Sequence, residues 1–315
     1  MENNPKVYAP VLITTLNRFE KFKTCVESLA KNPLAKETEL VIGLDYPPNE
    51  KYYEGYEDVR NYLPQIAGFK KIKCFVHEKN IGQGRNIRIL LDYAKEHYDK
   101  YIFTEDDNEF SPCFLDYMNQ ALVKYEDNTQ IAKISGYVSP VFYGITHDNI
   151  FCNKDFSAYG LGGWFKKSEY VNIGYKAIEK ELTKSLSHTL KLFFTYPALI
   201  YMAAHMITRK KRLGDVANSM YALMNDAYIL NPSISLVRNW GTDGSGLHSG
   251  VVKGVSDEKI STKEFYGTLD DIEIRAPKKL HRRLLRRNMP KNPFKYLAYF
   301  IYKFFYVVKI YFQYK

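Results

Sequence analysis

No two cysteines in this 315-residue chain stand at C-x-x-C spacing, and only four occur, at Cys25, Cys74, Cys113 and Cys152. A disulfide scaffold is excluded by so sparse a set, and reduced thiols are expected. Also missing is an unbroken apolar run of about 20 residues, the length a membrane-spanning helix needs. The nearest approach, Leu190 to Ile207, is interrupted by Lys191, Pro197 and His205, so a buried helix pair is expected there. The opening Met1-Glu-Asn-Asn-Pro-Lys6 lacks a basic segment followed by an apolar core, and a cytoplasmic chain is expected. Internal repeats and low-complexity tracts are absent.

Acidic residues are missing from one region entirely. From Ala276 to Lys315 there are eleven Lys or Arg and no Asp or Glu, whereas the first 275 residues hold 34 basic against 35 acidic. The formal charge of +10 therefore belongs to the tail. A nucleic-acid-binding body would need a basic stripe on the folded domain, which a neutral body does not supply. The chain divides on this basis into residues 1–275, a near-neutral body, and 276–315, a basic aromatic tail.

What the chain has in abundance is aromatics, with 27 Tyr and 19 Phe, which suits a large core, carbohydrate stacking or a membrane interface. Its first 110 residues alternate short β-branched runs with helical stretches, the pattern of βαβ units. Strands are expected at 11–15, 39–44, 71–76 and 101–104, with a helix over 20–30 and another after Asn86. A helix is expected over 111–126, a strand over 131–138, a glycine-rich loop over 156–164 and helices over 176–213. The fold class is α/β, a Rossmann-like sheet flanked by helices, with amphipathic helices at the C-terminus. In such sheets ligands bind beyond the carboxyl ends of the strands, where Arg18, Asp45, Arg85 and Asp107 fall.

In the second half of the tail, Lys295, Lys303, Lys309 and Gln313 fall within an arc of about 120° opposite an aromatic and aliphatic face. That predicts a helix lying on an anionic membrane surface, with Lys303 too central for a spanning helix. The alternative is a helix packed on the body. Arg282, Arg283, Arg286 and Arg287 would each add about 1 kcal/mol at an anionic leaflet.

The sharpest chemical feature is Glu105-Asp106-Asp107 at a strand end. Clustered carboxylates repel unless a cation or a basic ligand neutralises them, and their hard oxygens suit Mg²⁺ or Mn²⁺. Further on, the run from Asn239 to Gly250 holds four glycines together with Asp243 and His248, as in a loop closing over a site. The turn from Asn80 to Asn86 places glycines where backbone N–H groups can meet an anion.

In this order, Pro10-Val-Leu-Ile-Thr-Thr-Leu-Asn-Arg18, Asp45, Arg85-Asn86, Glu105-Asp-Asp107, Gly160-Leu-Gly-Gly-Trp164, Pro232-Ser-Ile-Ser-Leu-Val237 and Gly244-Ser-Gly-Leu-His-Ser-Gly250, the chain resembles inverting GT-A glycosyltransferases. The resemblance is nearest to bacterial family-2-like enzymes and the N-acetylglucosaminyltransferase I family, over about residues 7 to 250. It implies a nucleotide-diphosphate sugar donor, with UDP favoured, held by Arg18, Asp45, Arg85, Asn86 and Asp106. It also implies Mn²⁺ or Mg²⁺ on Asp107, with Glu105 and His248 as further candidate ligands. Asp215, about 17 residues before Pro232, takes the position of the general base. Relatives carry Trp before that acid where this chain has Gly214, so Asp226 stands as the alternative. Trp164 is a candidate contact for acceptor or sugar. The expected acceptor is a glycan or lipid-linked surface polysaccharide or glycolipid, met by a peripheral enzyme on the inner face of the membrane. A nucleotidyltransferase would want a Lys-bearing glycine signature after the first strand, which residues 14–19 lack. A non-catalytic carbohydrate- or nucleotide-binding protein docked at the membrane is the remaining alternative.

Overall fold

A computed structural model describes residues 7–167, 173–241, 260, 268–286, 290 and 292–315. β1 (Val11–Thr15) and β2 (Glu39–Leu44) are buried at every position. Helices cover both faces of these parallel strands, so neither face is left to solvent and the sequence does not alternate. Val11 and Ile13 point into one core with Phe22, Val26 and Leu29 of α1 (Phe19–Ala30). Leu12 and Val41 point into the other, with Leu90 and Ala94 of α3 (Gln83–His97). The apolar positions on α1 recur at the three- and four-residue spacing that makes one helical stripe. α2 (Tyr53–Tyr62) lies beside α1, and Gly55 allows the approach: a Cβ there would meet the Asn17 carbonyl oxygen at 2.1 Å.

The sheet also contains β3 (Lys71–Val76), β4 (Lys100–Glu105), β6 (Ile131–Ser135), β7 (Ile150–Asn153), β8 (Leu161–Trp164) and β9 (Tyr228–Pro232). Its order is β3-β2-β1-β4-β8-β6-β9-β7. The first four strands are parallel, β8 runs antiparallel to β4 and β6, and β7 runs antiparallel to β9. The fold is thus mixed α/β, an eight-stranded sheet flanked by helices. A separate two-stranded ribbon joins β5 (Asn108–Phe110) to β10 (Val237–Asn239).

The glycine-rich stretch before Trp164 is a buried strand, not the expected loop. Its glycines answer to packing: a Cβ on Gly162 would lie 2.7 Å from Met118 Cε of α4 (Phe114–Lys124), and one on Gly163 would lie 2.6 Å from Lys133 Nζ. Trp164 is fully buried, and its indole N–H donates to the Leu122 carbonyl at 2.8 Å. It pairs across to Lys100 at the amino end of β4, the end away from the carboxylate turn. The expectation that Trp164 touches a sugar is therefore corrected: it is a core residue.

A further hydrophobic core is wholly helical. It joins α5 (Tyr175–Leu182), α6 (Leu186–Thr195), α7 (Pro197–Arg209), α8 (Gly214–Met224) and α10 (Pro293–Tyr314) through Ile178, Phe193, Ile200, Ile207, Met220 and Val307. The broken apolar run is the expected helix pair, parted at Pro197. Among the described residues no helix is long and apolar enough to cross a membrane. α9 (Leu280–Arg286) buries Leu280 and Leu284 beside Val138 and Phe142.

The tail helix departs from its expected orientation. Lys303, expected on the solvent-facing arc, is 3% exposed and faces the body with Val307, Ile310 and Tyr311. Its ammonium lies 4.3 Å from the Tyr299 ring centroid and 5.2 Å from that of Tyr201, contacts that recover part of the lost hydration, while burial lowers its pKa. The helical pattern is right, but aromatic rings allow a lysine to sit on the packed side.

Candidate active site

β4 carries the chain to the carboxyl edge of the sheet and ends at Glu105, and Asp106 and Asp107 form the turn into β5. Partners distant in sequence fix this turn. Asn239 of β10 sits opposite Asn108 and donates to Asp107 Oδ1 at 2.8 Å, and the Trp240 N–H donates to the Asp107 carbonyl at 2.8 Å. A Cβ at Gly241 would come within 2.3 Å of Asp107 Oδ2, so glycine is required for the backbone to pass this close.

Arg18, in the loop after β1, bridges the two aspartates. One guanidinium nitrogen donates to Asp107 Oδ2 at 2.7 Å and the other to Asp106 Oδ1. Burial would lower the Arg18 pKa, but the two carboxylates raise it, so the guanidinium is firmly charged. Thr15, from the end of β1, donates to Asp106 Oδ2 at 2.8 Å. Burial raises the Asp106 carboxyl, against Arg18, which lowers it, and with Asp107, which raises it further. Arg18 answers only part of the charge. Glu105, which accepts one bond from Gln83 Nε2 at 2.9 Å, is pushed up to about 7 by burial and then by Asp107, Asp106 and Asp215.

Asp215 lies in the first turn of α8. Asp215 is exposed at the surface, yet the protein atoms packed around it push its carboxyl up to about 6. Its charge acts on Glu105, so α8 aims this end at the carboxylate turn. Asp226 follows the other end of α8, two residues before β9 begins, and its side chain is 80% exposed in an ion pair with Lys154 at 2.5 Å. The two candidate bases are therefore at opposite edges of the sheet, and only Asp215 is with the cluster.

Asp45 and Asn86 are held by the chain itself. Asp45 accepts from the N–H groups of Tyr46, Ile81 and Gly82 at 2.9, 2.9 and 2.8 Å, with Asn80 Nδ2 farther off at 3.4 Å. These contacts use the four acceptor directions of the carboxylate and shape the turn into α3. Gly82 has a φ of 79°, a conformation glycine adopts without strain. Asn86 is 1% exposed, donates to the Gly43 carbonyl at 2.9 Å and lies 3.2 Å from His77 Nε2. Arg85, on the first turn of α3, is exposed. Tyr46 and Tyr53 meet edge to face beside Asp45, with ring centroids 5.8 Å apart.

Of the residues singled out in the sequence, the structure gathers Arg18, Glu105, Asp106, Asp107 and Asp215 in one place. Asp45 and Asn86 go into the supporting turn, and Trp164 and Asp226 lie elsewhere. His248 lies outside the described residues. Thr15, Gln83 and Asn239 escaped sequence reasoning as site residues; only the place of Thr15 at a strand end hinted at its role. Among the described residues no group of three or more His, Cys, Asp or Glu forms a metal cage. The set does suit Mg²⁺ or Mn²⁺ held by one or two carboxylates and completed by substrate phosphates. Among the described residues each Asp107 oxygen accepts a single bond, which leaves it a lone pair, and Glu105 has one oxygen engaged. A solvent-open groove of about 520 Å³ between α1 and α2, lined by Phe19, Lys23, Glu27, Asp58 and Tyr62 among others, contains no buried carboxylate.

No family model and no curated protein matches the chain. Among solved structures it is similar to mannosyltransferase PcManGT from Pyrobaculum calidifontis in complex with GDP-Man and Mn²⁺, with 10% identity, 70% of this chain and 71% of that one covered, and a TM-score of 0.38. It is also similar to S. aureus TarS 1-349, with 14% identity, 68% and 69% covered, and a TM-score of 0.38. A longer S. aureus TarS structure matches over 68% of this chain and 42% of that one, with 14% identity and a TM-score of 0.33. Likeness this loose assigns no role to any residue, and the chemistry has to be read from the side chains themselves.

Proposed function

We propose that this chain is an inverting GT-A glycosyltransferase that moves a sugar from a nucleotide-diphosphate donor to an acceptor hydroxyl. The observation that carries the reading is that Asp215 lies within electrostatic reach of Glu105, in the Glu105-Asp106-Asp107 turn at the carboxyl ends of parallel strands. A carboxylate near 6 is poised to accept a proton at neutral pH, and it faces a turn suited to a cation and a diphosphate.

Asp215 takes the acceptor proton as the acceptor oxygen bonds to the anomeric carbon. The bond from that carbon to the diphosphate oxygen breaks with its electron pair leaving on the diphosphate, and the configuration inverts. Asp107, with Glu105 beside it, would hold Mn²⁺ or Mg²⁺, which when bound supplies positive charge for the departing diphosphate. Arg18 keeps Asp106 and Asp107 oriented and supplies fixed positive charge at the turn. Asp45 and Asn86 act on the donor by holding the turn that presents Arg85. UDP is the favoured nucleotide. The tail's charge supports work on a surface polysaccharide or glycolipid acceptor at the inner face of a membrane.

Calorimetric titration with UDP and GDP, with and without Mn²⁺, tests the reading. Metal-dependent binding that weakens about a hundredfold or more in Asp107→Ala is expected. Failure of every nucleotide under every metal condition would overturn it.

A further inference from the structure

The tail is acid-free in the sequence; the structure adds a second acid-free stretch to it. Residues 182–214, which include α6 and α7, contain six Lys or Arg and no Asp or Glu. α10 packs on both of these helices. Seventeen basic residues and no acidic one thus fall in these two stretches of sequence, while the remainder of the chain has 28 basic against 35 acidic.

This layer has an uncovered apolar stripe. With Lys303 turned inward, the opposite side of α10 presents Phe294, Leu297, Ile301, Phe305 and Phe312 at 82%, 56%, 44%, 64% and 66% exposure. Phe194 of α6, 51% exposed, extends it sideways, its ring centroid 6.1 Å from that of Phe300 and 5.9 Å from that of Phe304. Exposed lysines stand on both flanks: Lys295 and Lys309 on α10, and Lys191 one turn before Phe194 on α6. Long basic side chains beside a strip of aromatics can lay their stems on acyl chains and keep their ammonium groups at the phosphates.

We propose that α6 and α10 form one composite face that lies in the interface of a bilayer carrying anionic lipid. Charge complementarity selects this occupant, since a face with no acidic residue gains at an anionic leaflet from every basic group near it. This deepens the membrane reading above and does not depend on which sugar is moved. It also has a geometric consequence. Arg209, Lys210, Lys211 and Arg212, all exposed, connect α7, on which α10 packs, to the helix whose first turn carries Asp215, so the docked layer and the candidate site are joined by a basic segment.

The test uses the full chain and flotation with phosphatidylcholine vesicles, with and without phosphatidylglycerol. Binding to the anionic vesicles that falls with salt is expected. It should drop by about tenfold or more both in Ile301→Glu/Phe305→Glu and, outside the tail, in Phe194→Glu. All three sites are solvent-exposed, and an unchanged melting temperature would verify that the variants are folded. If Phe194→Glu binds like wild type while the α10 variant does not, the composite face is refuted and a tail-only anchor remains. If wild type binds no vesicles, the membrane reading falls with it, and nucleotide calorimetry still judges the transferase site. A dimer by light scattering that the same substitutions dissolve, without vesicle binding, would assign the stripe to a second copy and overturn the proposal.

Discussion

A lone buried carboxylate and a carboxylate cluster stand at opposite edges of the same sheet, and their surroundings differ in kind. At the amino edge Glu39 is buried, but it accepts from Tyr98 at 2.5 Å and Tyr93 at 2.7 Å and pairs with Lys71 at 3.0 Å. Burial alone would raise its pKa; the three partners overturn that and lower it. At the carboxyl edge burial prevails. Glu105 rises to about 7 through burial and its neighbouring carboxylates and Asp215 to about 6 through burial, while the Arg18 guanidinium is engaged by Asp106 and Asp107. A carboxylate kept for structure is given its partners by the fold. Under the proposed function a carboxylate that takes part in chemistry keeps capacity for a ligand or a proton, and strongly perturbed groups gathered together are a usual mark of such a site.

The comparison can be broken most decisively at Asp215. Asp215→Asn should reduce turnover by about 10²–10⁴-fold, the range for loss of a general base, while nucleotide affinity in calorimetry stays near wild type. Turnover would be read as release of nucleoside diphosphate from the donor. In the wild type, transfer should fall as pH drops below about 6, where Asp215 becomes protonated. Unchanged turnover would reduce Asp215 to an ordinary helix-start aspartate.

At the opposite edge the expected effect is on stability alone. Tyr98→Phe removes one donor from Glu39 and should cost about 1–2 kcal/mol in urea unfolding, with nucleotide affinity unchanged. A loss of nucleotide binding there would show that the two edges are not independent.

The smallest effect concerns the sign of the Asp215 shift. A carboxyl raised from 3.8 to about 6 on folding favours the folded state fully below 3.8 and loses that contribution as pH rises through 6. Asp215→Asn cannot ionise, so at pH 7 it should melt no lower than wild type and slightly higher, with the difference vanishing towards pH 4. A variant that melts lower at pH 7 would mean that the ionised Asp215 has a structural partner.

Much of the fold was legible because local patterns are sufficient for it. β1, β2, β3 and β4 fall where β-branched runs end in polar residues, and α1 where apolar residues recur at three and four. The errors came from residues whose reasons are remote. Gly162 and Gly163 read as a loop because nothing nearby in sequence indicates that Met118 and Lys133 need the space. Lys303 read as solvent-facing because the rings that receive it include Tyr201, about a hundred residues earlier. The sequence favoured Asp215 but kept Asp226 as an alternative, and the helix of 11 residues between them spans about 16 Å and carries them to opposite edges.

The sequence by itself determined the βαβ order, the strand-end positions of Arg18, Asp45 and Asp107, and the charge that gathers in the tail, because periodicity and composition are properties of neighbouring residues. Only the tertiary structure decided that Arg18 spans two aspartates, that Asn239 holds Asp107 from 132 residues away, and that α6 and α10 share one face. Each of these depends on where distant segments meet, and that is set by the packing of the whole sheet and its helices.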